Sequence, residues 1–212
     1  MRSLREYMKS ENMINVFSYF SFDEDDKNTM TDILELEWEF FDAVKGINGR
    51  AICQDNLDMF IIMRMSQHVI FSKETRVSIL KDYLNLRSRG INPIEGKYAR
   101  MMEHTDEELY KSFLDRLPDV SPIKRQVIID IINIFDENLL YLQEKLPITM
   151  EYSRPRKSKD KSISSLGYFY AELTFFSYRT LRLMKEDVIG MEDIGCVEKI
   201  YQNTVIISKY LF

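Results

Sequence analysis

The hydrophobic positions of this chain recur mostly at intervals of three and four residues, the spacing that places apolar side chains on one face of an α-helix. Segments with this spacing cover residues 2–20, 29–44, 55–67, 73–89, 93–103, 105–116, 122–145, 164–185 and 191–210. Glycine and proline, with seven and five residues, are too few for a turn-rich β-protein. The pattern therefore predicts an all-α fold, a compact bundle of roughly seven to nine helices.

One of these segments, residues 122–145, carries apolar side chains on most of its circumference. They are Val127, Ile128, Ile129, Ile131, Ile132, Ile134, Phe135, Leu139, Leu140 and Leu142. A helix that is hydrophobic on most sides is typical of the middle of a bundle. We therefore predict a buried central helix at 122–145, with the other helices packed around it.

A chain of 212 residues is most simply one domain, and no linker or repeat divides it. We expect a single helical domain over 1–212, in which an N-terminal helix and an acidic loop within 1–27 precede a core at 28–212. The acidic run at 23–26 is expected to be solvated loop. Residues 148–163 lack apolar periodicity and hold five basic side chains, which predicts an exposed loop or a loop that closes over an anionic ligand.

Turn residues frame one short helix in the middle of the chain. Gly90 is expected to end the preceding helix, and Asn92-Pro93 to start the next, because proline suits the first turn of a helix. Thr105 and Glu108 have the spacing of a capping box, so we expect another helix to begin at Thr105. The framed helix, 93–103, presents Lys97, Arg100 and Glu103 between these two fixed ends.

Charge and cysteine content narrow the functional classes. A net charge of -5 and an isoelectric point near 5.3 are unlike the basic balance of a general nucleic-acid binder. No uninterrupted apolar run approaches the roughly 20 residues needed to cross a bilayer. Cys53 and Cys196 lie far apart in a chain without a signal peptide, which favours reduced thiols. We expect a soluble cytoplasmic protein that binds neither nucleic acids in general nor membranes.

Three glutamates alternate around Trp38, at positions 35, 37 and 39. At about 100° per residue they cannot all face the same way from a helix. We expect at least one to point inward, and we take Glu37 and Glu39 as candidates for a catalytic acid or base or for a ligand carboxylate. The alternative is that two are solvated and the third caps a helix or pairs with a neighbour.

Two pairs of polar residues each share a helical face: Arg64 with Gln67, and Arg100 with Glu103. We expect the pairs to meet across the bundle as a pocket for a small anionic or amide-bearing ligand, because arginine presents a planar fork of donors. Further candidate ligand-binding residues are Arg50, Gln54, Lys97 and Arg154. The alternative is an interior salt-bridge network that fixes the register of the helices.

Cys53 lies at a predicted helix N-terminus, where the helix dipole favours a nucleophilic thiolate. A buried, inert cysteine is the alternative. His68 and His104 belong to no metal-binding motif, so a metal site is disfavoured and we assign no metal ligands. No fingerprint of a nucleotide or haem site is present in the sequence, and we assign no cofactor.

Short motifs with a fixed order and spacing run through most of the chain. They are Glu37-Trp38-Glu39-Phe40-Phe41, Gly49-Arg50-Ala51-Ile52-Cys53-Gln54-Asp55, Met63-Arg64-Met65-Ser66-Gln67, Lys97-Tyr98-Ala99-Arg100-Met101-Met102-Glu103-His104-Thr105, Arg154-Pro155, Glu172-Leu173, Thr180-Leu181 and Asn203-Thr204-Val205. In this order they resemble the bacterial family called domain of unknown function 4125, from about residue 30 onward.

The resemblance implies no activity, since the family is named for its unknown function. Some relatives look fused to a nucleotidyltransferase-like domain, which implies that the module assists a partner enzyme. The family pattern has a serine where Ile52 stands and an aromatic residue shortly after Gln67. A role for a hydroxyl at position 52 is therefore not carried over to this chain.

Two hypotheses for the function follow. In the first, the interior pocket binds a small ligand, and Glu37 or Glu39 acts as acid or base if the protein is catalytic. In the second, the protein is a non-catalytic interaction or accessory module that binds a protein partner through an outer face. A Cys53-dependent enzyme ranks below both. We assign neither an enzyme class nor an oligomeric state.

Overall fold

Short polar residues mark the helix beginnings in the computed structural model of the chain, which describes residues 3–45, 49–151, 154–156, 164–191 and 194–212. At residues 104, 105, 116, 148 and 149 only the backbone is described. A side-chain oxygen accepts a hydrogen bond from a first-turn N–H at Ser3, Ser10, Asp23, Asn56, Ser72, Asn92, Asp106, Ser121, Ser164 and Ser177. These caps satisfy donors that have no partner within the helix.

The described residues form helices and no strands, which confirms the all-α prediction. The helices are α1 (Leu4–Tyr7), α2 (Glu11–Tyr19), α3 (Glu24–Asp42), α4 (Leu57–His68), α5 (Lys73–Ser88), α6 (Pro93–Thr105), α7 (Glu107–Phe113), α8 (Pro122–Lys145), α9 (Pro147–Glu151), α10 (Ser165–Leu173), α11 (Tyr178–Ile189) and α12 (Cys196–Leu211). One-turn 3-10 helices lie at Ile52–Asp55 and Leu114–Arg116. No described helix is long and apolar enough to cross a lipid bilayer.

The described helices outnumber the predicted seven to nine, because two predicted segments are each divided and because α9 (Pro147–Glu151) lies partly in the region 148–163, which was predicted as a loop. Ser10 caps α2 and separates it from α1 within the predicted 2–20 segment. Ser177 caps α11 and separates it from α10 within the predicted 164–185 segment. On both sides of each serine the apolar residues keep the helical spacing. In such a pattern a serine is predicted to be an exposed residue within a helix.

The acidic run at 23–26 is not the solvated loop that we predicted. Asp23 is the N-cap of α3, and its Oδ1 accepts a hydrogen bond from the N–H of Asp26 at 2.8 Å. Asp26 pairs with the buried Arg76 at 2.7 Å, and Asp23 pairs with Lys73 at 2.8 Å. Negative charge stabilises the first turn of a helix, so the run starts α3 about five residues before the predicted Thr29.

The turn residues around α6 behave largely as predicted. Gly90 has a φ of +67°, and Asn92 Oδ1 accepts hydrogen bonds from the N–H groups of Ile94 and Glu95 at 3.0 and 3.2 Å. The predicted capping box at Thr105 is wrong. Thr105 closes α6, and Asp106 caps α7 by accepting from the N–H of Leu109 at 3.1 Å.

The described residues divide into two compact units, the first of which comprises Met1–Arg89 and Lys199–Phe212. Within unit 1, α3 packs against α1, α4 and α5. The apolar core of unit 1 includes Met13, Val16, Met30, Leu34, Ile61, Met65 and Ile207, each almost fully buried.

The second unit comprises Gly90–Glu198. Within unit 2, α8 packs against α10 and α11, while α6 packs against α7 and α10. The bounds predicted for α8 are correct, but its predicted place as a helix buried on most sides is wrong. Ile129 and Leu140 are 38% and 42% exposed, and the buried face consists of Val127, Ile128, Ile131, Phe135, Leu139 and Leu142.

Candidate functional site

Of the three glutamates around Trp38, Glu37 is the one that points inward. Its side chain is 1% exposed, whereas those of Glu35 and Glu39 are 41% and 56% exposed. Glu35 pairs with Arg5, and Glu39 lies 3.4 Å from Arg87. The geometry follows from the helix, because residues two apart differ by about 200° in direction.

Donors from two neighbouring helices converge on the Glu37 carboxylate. Arg64 of α4 donates from Nε to Oε2 at 2.9 Å and from Nη2 to Oε1 at 2.5 Å. Oε1 also lies 2.9 Å from Nε2 of His68 and accepts from the hydroxyl of Tyr83 at 2.7 Å. Arg64 Nη1 donates to Gln67 at 2.7 Å. We call Glu37, Arg64, Gln67, His68 and Tyr83 the Glu37 network.

The network keeps Glu37 ionised inside the protein. Burial by itself would raise the pKa of this carboxyl group, because a charged group loses its hydration. The charge of Arg64, the field of His68 and their hydrogen bonds outweigh burial, and the pKa lies well below its usual range. A carboxylate that is ionised and accepts four hydrogen bonds is a poor general acid and a poor free ligand, so its geometry suits a structural link between α3, α4 and α5.

Two members of the Glu37 network, His68 and Tyr83, were not predicted as site residues. His68 follows Arg64 at i+4 and therefore shares its helical face, which is a signal in the sequence. Tyr83 lies on the predicted apolar face of α5, where a tyrosine reads as core. His68 Nδ1 is buried and has no hydrogen-bond partner among the described residues.

The side chains of Arg50 and Gln54 form contacts within the segment that connects α3 to α4. Arg50 is exposed and pairs with Asp42 at 2.6 Å and with Asp55 at 2.8 Å. Gln54 is 2% exposed. Its Nε2 donates to the carbonyl of Phe41 at 2.7 Å, and its Oε1 accepts from the N–H of Ala51 at 2.8 Å. The Gln54 amide thus satisfies carbonyl groups at the end of α3.

The two cysteines have opposite surroundings. Cys53 is exposed in the 3-10 helix Ile52–Asp55, so the predicted alternative of a buried Cys53 is wrong. Cys196 is 1% exposed, and burial raises the pKa of its thiol to about 12. Both cysteines are free. The described residues contain no group of three or more His, Cys, Asp or Glu side chains that could hold a metal ion.

In unit 2, the predicted residues Lys97 and Arg154 are held beside aromatic rings. Lys97 pairs with Glu172 of α10 at 3.0 Å. The guanidinium of Arg154 lies 3.8 Å from the centre of the Tyr168 ring, a cation–π contact. Arg154 belongs to the predicted basic loop, of which residues 152–153 and 157–163 lie outside the described part of the chain.

Arg100 has no carboxylate within ion-pair distance among the described residues. Its side chain is half-buried, Nη2 donates to the carbonyl of Pro118, and the guanidinium lies 5.8 Å from the centre of the Phe175 ring. Its Nε is buried and has no hydrogen-bond partner in that part of the chain. Burial, rather than a charged neighbour, is the main cause that lowers the pKa of Arg100.

Four further side chains of unit 2 act on Arg100. The positive charge of Arg125 also lowers its pKa, while Tyr110, Tyr170 and Glu103 have the opposite effect. Arg125 Nη1 donates to the Tyr170 hydroxyl at 3.4 Å. We call Arg100, Arg125, Tyr110 and Tyr170 the Arg100 cluster. Of these four residues, only Arg100 was predicted to be a site residue. Arg125 lies in the first turn of α8, which was predicted to be a buried helix.

The predicted pocket combines residues from both units. Arg64 and Gln67 belong to unit 1 and lie in the Glu37 network, whereas Arg100 and Glu103 belong to unit 2. Glu103 is exposed and favours the charged form of Arg100 from a distance.

Comparison with known proteins agrees with the resemblance seen in the motifs. The model of the family described as "Protein of unknown function (DUF4125)" matches residues 27–210. Neither the comparison with curated proteins nor that with solved structures gave a significant match. The family description carries no activity, so the chemistry of the chain must be argued from its own side chains.

Proposed function

The chain belongs to the DUF4125 family of unknown function, and from the side chains of unit 2 we propose that it binds a small oxyanion, a carboxylate or phosphate group, at the Arg100 cluster. The observation that carries the proposal is the half-buried guanidinium of Arg100, which has an unpaired Nε and no carboxylate partner in the described chain.

A buried cation without a counter-charge is costly, since it has lost water and gained no ionic partner. Proteins normally pair such a group, as Arg64 is paired in the Glu37 network. An oxyanion beside Arg100 would supply both the missing charge and an acceptor for Nε. Hydrogen bonds between arginine and an oxyanion are stronger than neutral ones and favour planar, forked contacts.

The neighbours of Arg100 suit the same ligand. Arg125 carries a second guanidinium group. Two like charges in one region repel each other, and an anion between them offsets that repulsion because it attracts both. The phenol groups of Tyr110 and Tyr170 are further hydrogen-bond donors. The Arg100 cluster therefore combines two positive charges with two neutral donors, while the exposed Glu103 acts on Arg100 from beyond ion-pair distance.

The Glu37 network favours a binding role without catalysis by Glu37. The Glu37 carboxylate is buried, and both of its oxygens accept hydrogen bonds. Glu39 is exposed and lies 3.4 Å from Arg87. We retain the interaction module as the second candidate function, because the Glu37 network has the character of a structural link. We place the protein in the bacterial cytoplasm, which its two free cysteines support.

Phosphate and acetate titrations of the 15N-labelled protein at constant ionic strength test the proposal, with chloride as the reference anion. We expect saturable shifts of amides near Arg100, and Arg100→Met is expected to weaken binding about tenfold or more, the loss of one charge-assisted contact. Arg182→Met is the matched control, because Arg182 is an exposed arginine of the same unit that pairs with Glu186.

Stability separates the two candidate functions. Without anion, Arg100→Met is expected to leave the free energy of unfolding unchanged or to raise it, because it removes a buried unpaired charge. A large loss of stability together with unchanged anion titrations would contradict the binding proposal and favour a structural role for Arg100.

A further inference from the structure

Unit 2 contains a cleft of about 350 Å³ beside the second half of α8. One wall is formed by α8 residues from Glu137 to Lys145, and the other by Met191, Ile194 and the start of α12. A cleft of this size accommodates a short side chain or a small molecule of a few heavy atoms. No residue of the Arg100 cluster lines it, so its chemistry is independent of the proposed function.

The charges along the cleft leave one carboxylate uncompensated. Lys145 Nζ lies 3.3 Å from Glu198 and 5.3 Å from the centre of the Tyr141 ring. Glu198 and Tyr141 raise the pKa of Lys145, which keeps the pair ionised, so its charges cancel. The exposed side chain of Glu137 forms no hydrogen bond or ion pair with another described residue, and its carboxylate therefore gives the described walls a net negative charge.

The two walls approach each other closely where α8 meets the start of α12. A Cβ atom on Gly195 would lie 2.0 Å from Oδ1 of Asn138, so a larger residue there would displace the Asn138 side chain. That side chain donates from Nδ2 to the carbonyl of Ile134 at 2.9 Å. Gly195 therefore lets the start of α12 approach α8 at this edge of the cleft.

Apolar and aromatic groups complete the lining. Leu142 and Tyr141 lie on the wall formed by α8, and Ile194, which is 40% exposed, lies on the other wall. An aliphatic chain of a few carbons would cover the exposed surface of Ile194 and so lose contact with water. The ring of Tyr141 attracts cations through its face, as its contact with Lys145 shows.

We propose that this cleft binds a primary ammonium group carried on a short aliphatic chain. The ammonium would donate to the Glu137 carboxylate beside the Tyr141 ring, and the chain would lie against the exposed side chain of Ile194. Anions are disfavoured by the charge of Glu137, which no cation of the described walls offsets. The same chemistry is offered by a free small amine and by the lysine side chain of a partner protein.

Titration of the 15N-labelled full chain with n-butylammonium tests the proposal, with butyrate and 1-butanol as ligands of the same chain length. We expect saturable shifts of the Asn138 and Gly195 amides with the ammonium only. Glu137→Gln is expected to weaken binding about fivefold, as the loss of one exposed charge pair does. Glu95→Gln, an exposed glutamate of α6 outside the cleft, is the charge-matched control and should bind as the unchanged protein does.

A further ligand distinguishes the two sources of the ammonium group. If N-acetyl-lysine methylamide binds as tightly as n-butylammonium, the cleft admits a lysine side chain attached to a backbone. If it binds far more weakly, the cleft takes a free amine. Equal shifts with butyrate or 1-butanol, or equal affinities of the Glu137→Gln and Glu95→Gln variants, would overturn the proposal. Because phosphate binding is measured at another site, neither result depends on the other.

Discussion

Arg64 holds both carboxylate oxygens of Glu37 through two separate nitrogens, Nε at 2.9 Å from Oε2 and Nη2 at 2.5 Å from Oε1. The pair links α4 to α3 at a point where the glutamate is 1% exposed and the arginine 16% exposed. A forked contact of this kind fixes both the distance and the rotation of the two helices, because neither nitrogen can move without losing its oxygen.

Arg64→Met is expected to lower the free energy of unfolding by about 3–5 kcal/mol, since it leaves the Glu37 carboxylate buried without its cation. Urea denaturation followed by circular dichroism measures the loss. The double variant Glu37→Gln with Arg64→Met should recover part of the stability, because it removes the unpaired charge.

Arg5→Met is the matched control, because Arg5 also joins two helices of unit 1 but is 48% exposed. Its contacts with Asp32 and Glu35 lie in water, where an ion pair contributes about 1 kcal/mol or less. Equal losses from Arg64→Met and Arg5→Met would show that burial of Glu37 does not determine the energy of the network.

As the pH falls, the free energy of unfolding should decrease more steeply in the unchanged protein than in the Glu37→Gln variant. The pKa of Glu37 lies well below its usual range in the folded state and near about 4.3 in the unfolded state. Its contribution is therefore complete above the unfolded pKa and is lost as the pH falls toward the folded pKa.

Urea titrations at pH values from about 5.5 down to 3 measure this linkage in the unchanged protein and in Glu37→Gln. The slope for the unchanged protein should exceed that of the variant by up to about 1.4 kcal/mol per pH unit, the value for one proton. Parallel slopes would mean that Glu37 has the same pKa in the folded and unfolded states. Other carboxylates with lowered pKa, such as Glu35 and Asp130, remain in both proteins and do not affect the comparison.

Gly96→Ala is expected to destabilise the protein although alanine is the better helix former. A Cβ atom at this position of α6 would lie 2.3 Å from Cζ of Phe175. The overpacking costs about 1–3 kcal/mol, which exceeds the gain of about 1 kcal/mol in helix propensity. Thermal or urea denaturation measures the net change.

Two further variants isolate the contact with Phe175. The alanine substitution should cost less in a Phe175→Leu background, because the ring atom that it meets is gone. Gly190→Ala, whose Cβ would meet nothing closer than 3.5 Å, should change stability by about 0.5 kcal/mol or less. A stabilising Gly96→Ala would show that the Phe175 ring, which follows α10, can move away from α6 at little cost.

The two thiols should differ widely in reactivity toward a disulfide reagent such as DTNB. Cys53 is exposed and should react in the folded protein, whereas Cys196 should react only after unfolding, because its thiol is buried and its pKa is raised to about 12. Cys53→Ser should abolish the reaction of the folded protein. A rate for Cys53 no higher than that of free cysteine near neutral pH would rule out the hypothesis of a Cys53 nucleophile.

The helical class and several helix ends follow from local sequence, because periodicity and capping act within a few residues. Asn92-Pro93 and Ser121-Pro122 both start helices where predicted. Ser10 and Ser177 also start helices but were read as helical residues, since packing decides whether a serine caps or continues a helix. Ile129 of α8 is exposed for a related reason: apolar composition does not show which face meets a neighbour.

The candidate sites were predictable only where partners lie on the same helix or in an obvious charge pattern. The inward direction of one glutamate around Trp38, and the shared helical face of Arg64 and Gln67, follow from such patterns. Tyr83 lies 46 positions from Glu37, and Tyr170 lies 45 positions from Arg125. Contacts between residues so far apart in sequence depend on how the helices pack. The local spacing of apolar residues does not determine that packing.

The convergence of three helices on the Glu37 carboxylate has a consequence for how relatives of this protein diverge. A change at position 37, 64, 68 or 83 alone leaves a charge or a donor without its counterpart, so mutations there should be tolerated mainly in combination. Family members that lack the acid at the position of Glu37 should also lack the arginine at that of Arg64. The four positions are expected to be inherited together, as one correlated group in the history of the family.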